Sequence, residues 1–134
     1  MAVSSINLLS LNVGTSSSLA GVATLVEVHK IDVLFLQEVR SSSVQIESLL
    51  KGFKAVVNFD EEDSSRPGVA LAWRHNLPVS NVTNLVPCRL QIANLGSIKI
   101  MNLYAPSGSS KKHERYIFYS KEVFSTLNLD KDSP

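Results

Sequence analysis

A single cysteine, Cys88, is all the thiol chemistry the chain contains, so it can close no internal disulfide and build no cysteine-based zinc cluster. A lone free thiol of this kind suits a reducing compartment. Aromatic residues are scarce at 7%, and no uninterrupted apolar stretch approaches the ~18 residues of a membrane-spanning helix. The opening residues Met1-Ala2-Val3-Ser4-Ser5-Ile6 place no basic segment ahead of an apolar one, which argues against a secretory signal. Charge of neither sign is in excess. Thirteen basic against twelve acidic residues leave +1, so any contact with nucleic acid or an anionic surface must rest on a local patch. No internal repeat or low-complexity linker interrupts the 134 residues, whose 44% apolar and 19% charged content is that of an ordinary globular domain. The expectation is one soluble domain, intracellular, nuclear or cytoplasmic and not secreted.

What is present is organised around residues 30–40. Val33-Leu34-Phe35-Leu36 has no polar face and reads as a short strand buried on both sides, and the run stops at Gln37 and Glu38. A carboxylate at the exit of a central strand can face the crevice where α/β sheets place ligands, and there it can hold a hard cation such as Mg²⁺. On position alone, a solvated strand end or Glu38 paired with Arg40 is the simpler account.

Residues 6–13 read as a first strand with its exit at Asn12, and apolar residues at helical spacing from Leu19 predict a helix reaching about His29. Together with the buried strand this is a βαβ unit with parallel strands. A short helix is expected after the serines 41–43, ending at Gly52, and then a strand over 53–59. The run Asp60-Glu61-Glu62-Asp63 is read as an exposed loop and not a metal cluster, because adjacent like charges repel. Strands follow at 69–73, more weakly at 79–86, and at 89–93 and 97–104, the last two joined through Gly96. In the final arm, Ile98 and Ile100 are expected on an apolar face, with Lys99 and Asn102 outward. A last helix over residues 111–128 carries Lys111, Lys112, His113 and Arg115 in its first turn, where basic groups oppose the helix dipole. The whole predicts an α/β chain with a mixed sheet.

Asn12, Glu38 and Tyr104 each stand where an apolar strand gives out. An amide orients and donates, a carboxylate takes a metal, and a phenol donates to a phosphate oxygen, an inventory that suits phosphate-ester chemistry. Four segments carry a resemblance: Leu11-Asn12-Val13-Gly14, then Asp32-Val33-Leu34-Phe35-Leu36-Gln37-Glu38, then Gly68-Val69-Ala70-Leu71-Ala72, then Asn102-Leu103-Tyr104-Ala105-Pro106-Ser107-Gly108. In this order they resemble successive signatures of the endonuclease/exonuclease/phosphatase superfamily, and most of all the abasic-endonuclease-like domain of non-LTR (LINE-type) retrotransposons.

The resemblance implies a four-layer α/β/β/α sandwich of the deoxyribonuclease I-like type and a Mg²⁺- (or Mn²⁺-) dependent phosphodiesterase that nicks DNA. It implies that Asn12 is the active-site amide, Glu38 the metal-binding carboxylate with Asn12 beside it, and Tyr104 the tyrosine that contacts the scissile phosphate. The family pattern continues with a Gly-Asp-Phe-Asn type motif, a further Asp and a Ser-Asp-His, and none of these occurs in the 134 residues. The chain is therefore expected to be the N-terminal half of such a domain, without useful turnover by itself. His29, His75 and His113 lie in the wrong contexts to replace the missing base. Half a sandwich is also expected to expose an apolar sheet face and to self-associate. A competing expectation is a non-catalytic module that binds nucleic acid or protein through Lys111, Lys112 and Arg115.

Overall fold

The computed structural model describes residues 5–14 and 19–105. The chain divides into two compact units, Met1–Leu103 and Tyr104–Pro134, and of the second only Tyr104 and Ala105 are among the described residues. The helix expected over residues 111–128 and the basic residues Lys111, Lys112 and Arg115 lie outside the described residues.

The first unit runs β1 (Leu8–Asn12), α1 (Leu19–His29), β2 (Val33–Val39), α2 (Ser43–Leu49), β3 (Phe53–Asn58), β4 (Gly68–Arg74), β5 (Val79–Val86), β6 (Leu90–Leu95) and β7 (Ile98–Leu103). Its strands form two sheets, one in the order β1-β2-β4-β3 and the other β5-β6-β7. Among the described strands only β1 and β2 pair in parallel, because the α1 crossover returns the chain in the same direction; every other described pairing is antiparallel.

The period of two along β2 sorts its side chains between two cores. Leu34 and Leu36 join Val22 and Val26 of α1 and Ile46 of α2 on one face of the four-stranded sheet. Val33 joins Leu71, Trp73, Ala93, Leu95 and Ile100 on the other, where the second sheet packs. A strand covered on both faces must be apolar throughout, which is why Val33, Leu34 and Leu36 are fully buried. The inner face expected to be uncovered is packed by the second sheet over β2 and β4, whereas at β1 Leu8, on the same face as Val33, is 51% exposed. What also stays open among the described residues are the sheet edges: β1 and β3 end one strand order and β5 and β7 the other, and no described strand pairs with their outer sides.

Helix ends follow local chemistry. Ser42 caps α2, its hydroxyl accepting from the Gln45 amide at 3.2 Å while the Gln45 side chain accepts from the Ser42 amide at 2.8 Å. At the end of α1 the Ile31 amide donates to the Val26 carbonyl at 3.0 Å, and Lys30 between them takes φ 54°. This is a Schellman closure whose left-handed position favours glycine. Lys30→Gly is therefore expected to raise stability by about 0.5–1 kcal/mol in urea denaturation.

Two details of the sequence reading are settled here. The 60–66 segment is a loop whose acidic side chains serve its own backbone: Asp60 pairs with Arg66 at 2.9 Å and Asp63 accepts from Ser65. The Ser65 hydroxyl, and then its amide, hold the Asp63 carboxyl below the usual range. Asn102, by contrast, does not face outward. It is 1% exposed, because a residue two places from Ile100 must share the inward face of Ile100, while Ile98 at the hairpin end is 62% exposed. Polarity was a poorer guide there than the period of the strand.

Candidate active site

The parallel pairing of β1 and β2 brings their exits together. Leu8 stands opposite Val33 and the register continues to Asn12 opposite Gln37, with the Val13 amide donating to the Gln37 carbonyl at 2.9 Å. Adjacent strands lie about 4.8 Å apart, so Asn12 and the residue after Gln37 share one stretch of sheet rim. That residue is Glu38. The opposite end of the sheet is fastened separately: Asp32 accepts from the Asn7 amide at 2.9 Å and pairs with Arg74 at 3.2 Å, and Arg74 lies 4.9 Å over the Phe53 ring.

Regular alternation after Leu34 and Leu36 would point Glu38 toward the helices. A bulge prevents this. Leu36 stands opposite Ala70 and Val39 opposite Gly68, so Gln37 and Glu38 together face the single residue Val69. Glu38 absorbs the extra residue with φ 56°, a left-handed backbone that is costly for a side chain of this kind. The bulge hands the helix-facing place to Val39, which is 1% exposed in the helix-side core, and leaves Glu38 half-buried at the rim. Asn12 is exposed. None of the hydrogen bonds or ion pairs among the described residues takes up the Glu38 carboxylate or the Asn12 side-chain amide, and Arg40 is turned instead to the Ser65 carbonyl at 3.0 Å. The pairing of Glu38 with Arg40 left open by the sequence is thus not what forms.

Tyr104 is the first residue after β7 and the first of the second unit, and it is half-buried. His29 and His75 are exposed at the far end of the sheet: the His29 carbonyl accepts from Asn7 at the start of β1, and the His75 amide bonds the Gly52 carbonyl ahead of β3. Neither reaches the rim that carries Asn12 and Glu38.

Beneath that rim lies a set of buried amides that the sequence reading did not select. Gln37 donates to Asn102 Oδ1 at 3.1 Å and to Ser10 Oγ at 3.2 Å; Asn102 donates to Gln91 Oε1 at 3.0 Å; Asn58 donates to the Val86 and Leu90 carbonyls at 2.8 and 3.2 Å. Every buried side-chain nitrogen and oxygen among the described residues has a partner, so these groups cross-link the sheets without an unsatisfied penalty. The sequence carries a signal for Asn102, which interrupts the alternation Ile98, Ile100, Tyr104 at a period of two.

The pattern of the Endonuclease/Exonuclease/phosphatase family matches residues 5–127. The chain belongs to this family. Solved structures of the same fold include TDP2 proteins, of which the one from Caenorhabditis elegans is 19% identical with a TM-score of 0.71 over 96% of this chain and 44% of that one. An AP endonuclease from Archaeoglobus fulgidus is 22% identical with a TM-score of 0.65, covering 97% of this chain and 53% of that one. The endonuclease domain of TRAS1, a telomere-specific non-LTR retrotransposon, is 15% identical with a TM-score of 0.61 over 85% and 53%. The family chain described here thus spans about half the length of these structures. No curated protein sequence matches it. No described helix is long and apolar enough to cross a membrane.

The donor set at the rim fits a divalent metal of the hard kind. A carboxylate and an amide oxygen are oxygen ligands, and Mg²⁺ takes one or two protein oxygens while the rest of its shell comes from water and substrate. Among the described residues no group of three or more His, Cys, Asp or Glu is placed to form a closed protein cage.

Proposed function

We propose that this chain carries the metal-holding part of a divalent-metal-dependent phosphodiester hydrolase acting on DNA, of the non-LTR retrotransposon type. The observation that carries the reading is the bulge at Glu38, which sets a carboxylate with no partner among the described residues beside Asn12 on the rim of a family fold. In this reading Glu38 would hold Mg²⁺ or Mn²⁺ with the Asn12 amide beside it, and Tyr104 keeps the phosphate-contacting role that the resemblance implies. The bound ion supplies neutralisation of the phosphate charge. The TRAS1 domain and the AP endonuclease, both named for nuclease action, are what favours DNA as substrate. An intracellular setting, nuclear or cytoplasmic, agrees with Cys88 as a free thiol.

The 134 residues hold no Gly-Asp-x-Asn and no Ser-Asp-His segment to act as general base. General-base catalysis contributes typically about 10²–10⁴-fold, so the chain by itself is expected to bind the ion without useful nicking. Mg²⁺ at ten times its dissociation constant should stabilise the protein by about 1.4 kcal/mol in urea denaturation, and Glu38→Gln should lose that gain. A chain that gains nothing from Mg²⁺ contradicts the reading. Supercoiled plasmid with Mg²⁺ should stay intact; nicking that persists in Glu38→Ala would remove Glu38 from the chemistry. Light scattering on the same sample reads out self-association through the β1 edge, which a monodisperse monomer would exclude.

A further inference from the structure

The bulge that presents Glu38 is gripped from the opposite sheet. Leu36 and Ala70 form the last regular pair before it, and the carbonyls of both accept from the Asn102 side-chain amide, at 3.3 Å and 2.9 Å. The Asn102 oxygen in turn accepts from Gln37, the first of the two residues that share Val69. Asn102 is itself held by Gln91, which is fully buried and donates to the Val56 carbonyl at 3.0 Å and to Asn84 at 3.1 Å. One side of the bulge is therefore tied to β7 and β6 by directional bonds, and the other is plugged by Val39 into the helix-side core. A glutamate keeps a left-handed backbone only when its surroundings over-determine it, and these two anchors do so.

We propose that Asn102, acting through Gln37 and the Leu36 carbonyl, is a positioning residue that holds the β2 bulge and so aims the Glu38 carboxylate at a divalent cation. This rests on the reading of Glu38 as the metal carboxylate, and it adds that the metal site depends on a side chain from the other sheet that never touches the ion. Loss of such supporting hydrogen bonds typically weakens metal binding about 10–100-fold.

The test uses the full chain with two readouts. Backbone carbon chemical shifts of Glu38 without metal report its left-handed conformation, and electron paramagnetic resonance of added Mn²⁺ reports affinity. Asn102→Ala should move the Glu38 shifts toward extended-strand values and weaken Mn²⁺ binding about tenfold. Gln37→Met, which keeps the volume and removes the amide, should do the same and carries the test if Asn102→Ala does not fold. Ile100→Ala, an apolar truncation on the same face of β7, should lower stability and move neither readout. Unchanged Glu38 shifts in a folded network variant overturn the clamp whether or not Mn²⁺ binds, and so does an equal response to Ile100→Ala. A wild-type chain that binds no Mn²⁺ while the variants still shift Glu38 supports the clamp and counts against the metal reading alone.

Discussion

Gly68→Ala is expected to destabilise the protein by about 3 kcal/mol, at the upper end of what one added methyl group costs in a packed interior. A Cβ at Gly68 would lie 2.5 Å from the Asn58 carbonyl oxygen and 2.9 Å from the Phe59 ring. The nearer of these is backbone and cannot rotate away. Nor can β3 step back, because the Asn58 side chain is bonded to the Val86 and Leu90 carbonyls of the second sheet at 2.8 and 3.2 Å. Gly68 also pairs with Val39, the residue that plugs the far side of the bulge, so the strain should reach Glu38. Urea denaturation measures the loss, and a Gly68→Ala protein within 0.5 kcal/mol of wild type, about the usual scatter of harmless surface changes, would show that the strands separate freely there.

Glu38→Gly should act in two directions at once. Replacing a glutamate at φ 56° by the one residue that takes this conformation without steric cost should raise stability by about 0.5–1 kcal/mol, while metal binding disappears. Glu38→Ala keeps the strained backbone, so it should lose the metal without the gain. The pair of variants separates the cost of the backbone from the use of the carboxylate. Strain retained at a residue whose replacement stabilises the fold is the pattern expected of a functional position. A Glu38→Gly protein less stable than Glu38→Ala would mean that the bulge costs nothing and needs no functional explanation.

Much of this architecture was legible because it follows from periodicity and turn chemistry. The unbroken apolar run at Val33–Leu36 marked the central strand, the serines before Val44 marked the cap of α2, and Gly96 marked the β6–β7 hairpin. The exits of β1 and β2 follow from the βαβ connection, which puts Asn12 and Glu38 on one rim. The bulge was not legible. It is a slip of one residue carried by a left-handed glutamate, where sequence rules expect glycine, and nothing local to Gln37 and Glu38 announces it. The inward turn of Asn102 was missed for a different reason. Its polarity suggested solvent, whereas its worth lies in carbonyls of β2 and β4 that are distant in sequence and become neighbours only once the sheets pack. In both cases tertiary packing decided what local preference could not.

A divalent cation held at the joint exit of β1 and β2 is what the proposed function requires. Mn²⁺ titrated into the isotope-labelled chain at sub-stoichiometric levels broadens the amide signals nearest the ion. The expected result is broadening centred on Asn12, Val13, Gln37, Glu38 and Val39, absent in Glu38→Gln. Broadening centred instead on the acidic loop at Asp60–Asp63, or left unchanged by Glu38→Gln, would contradict it.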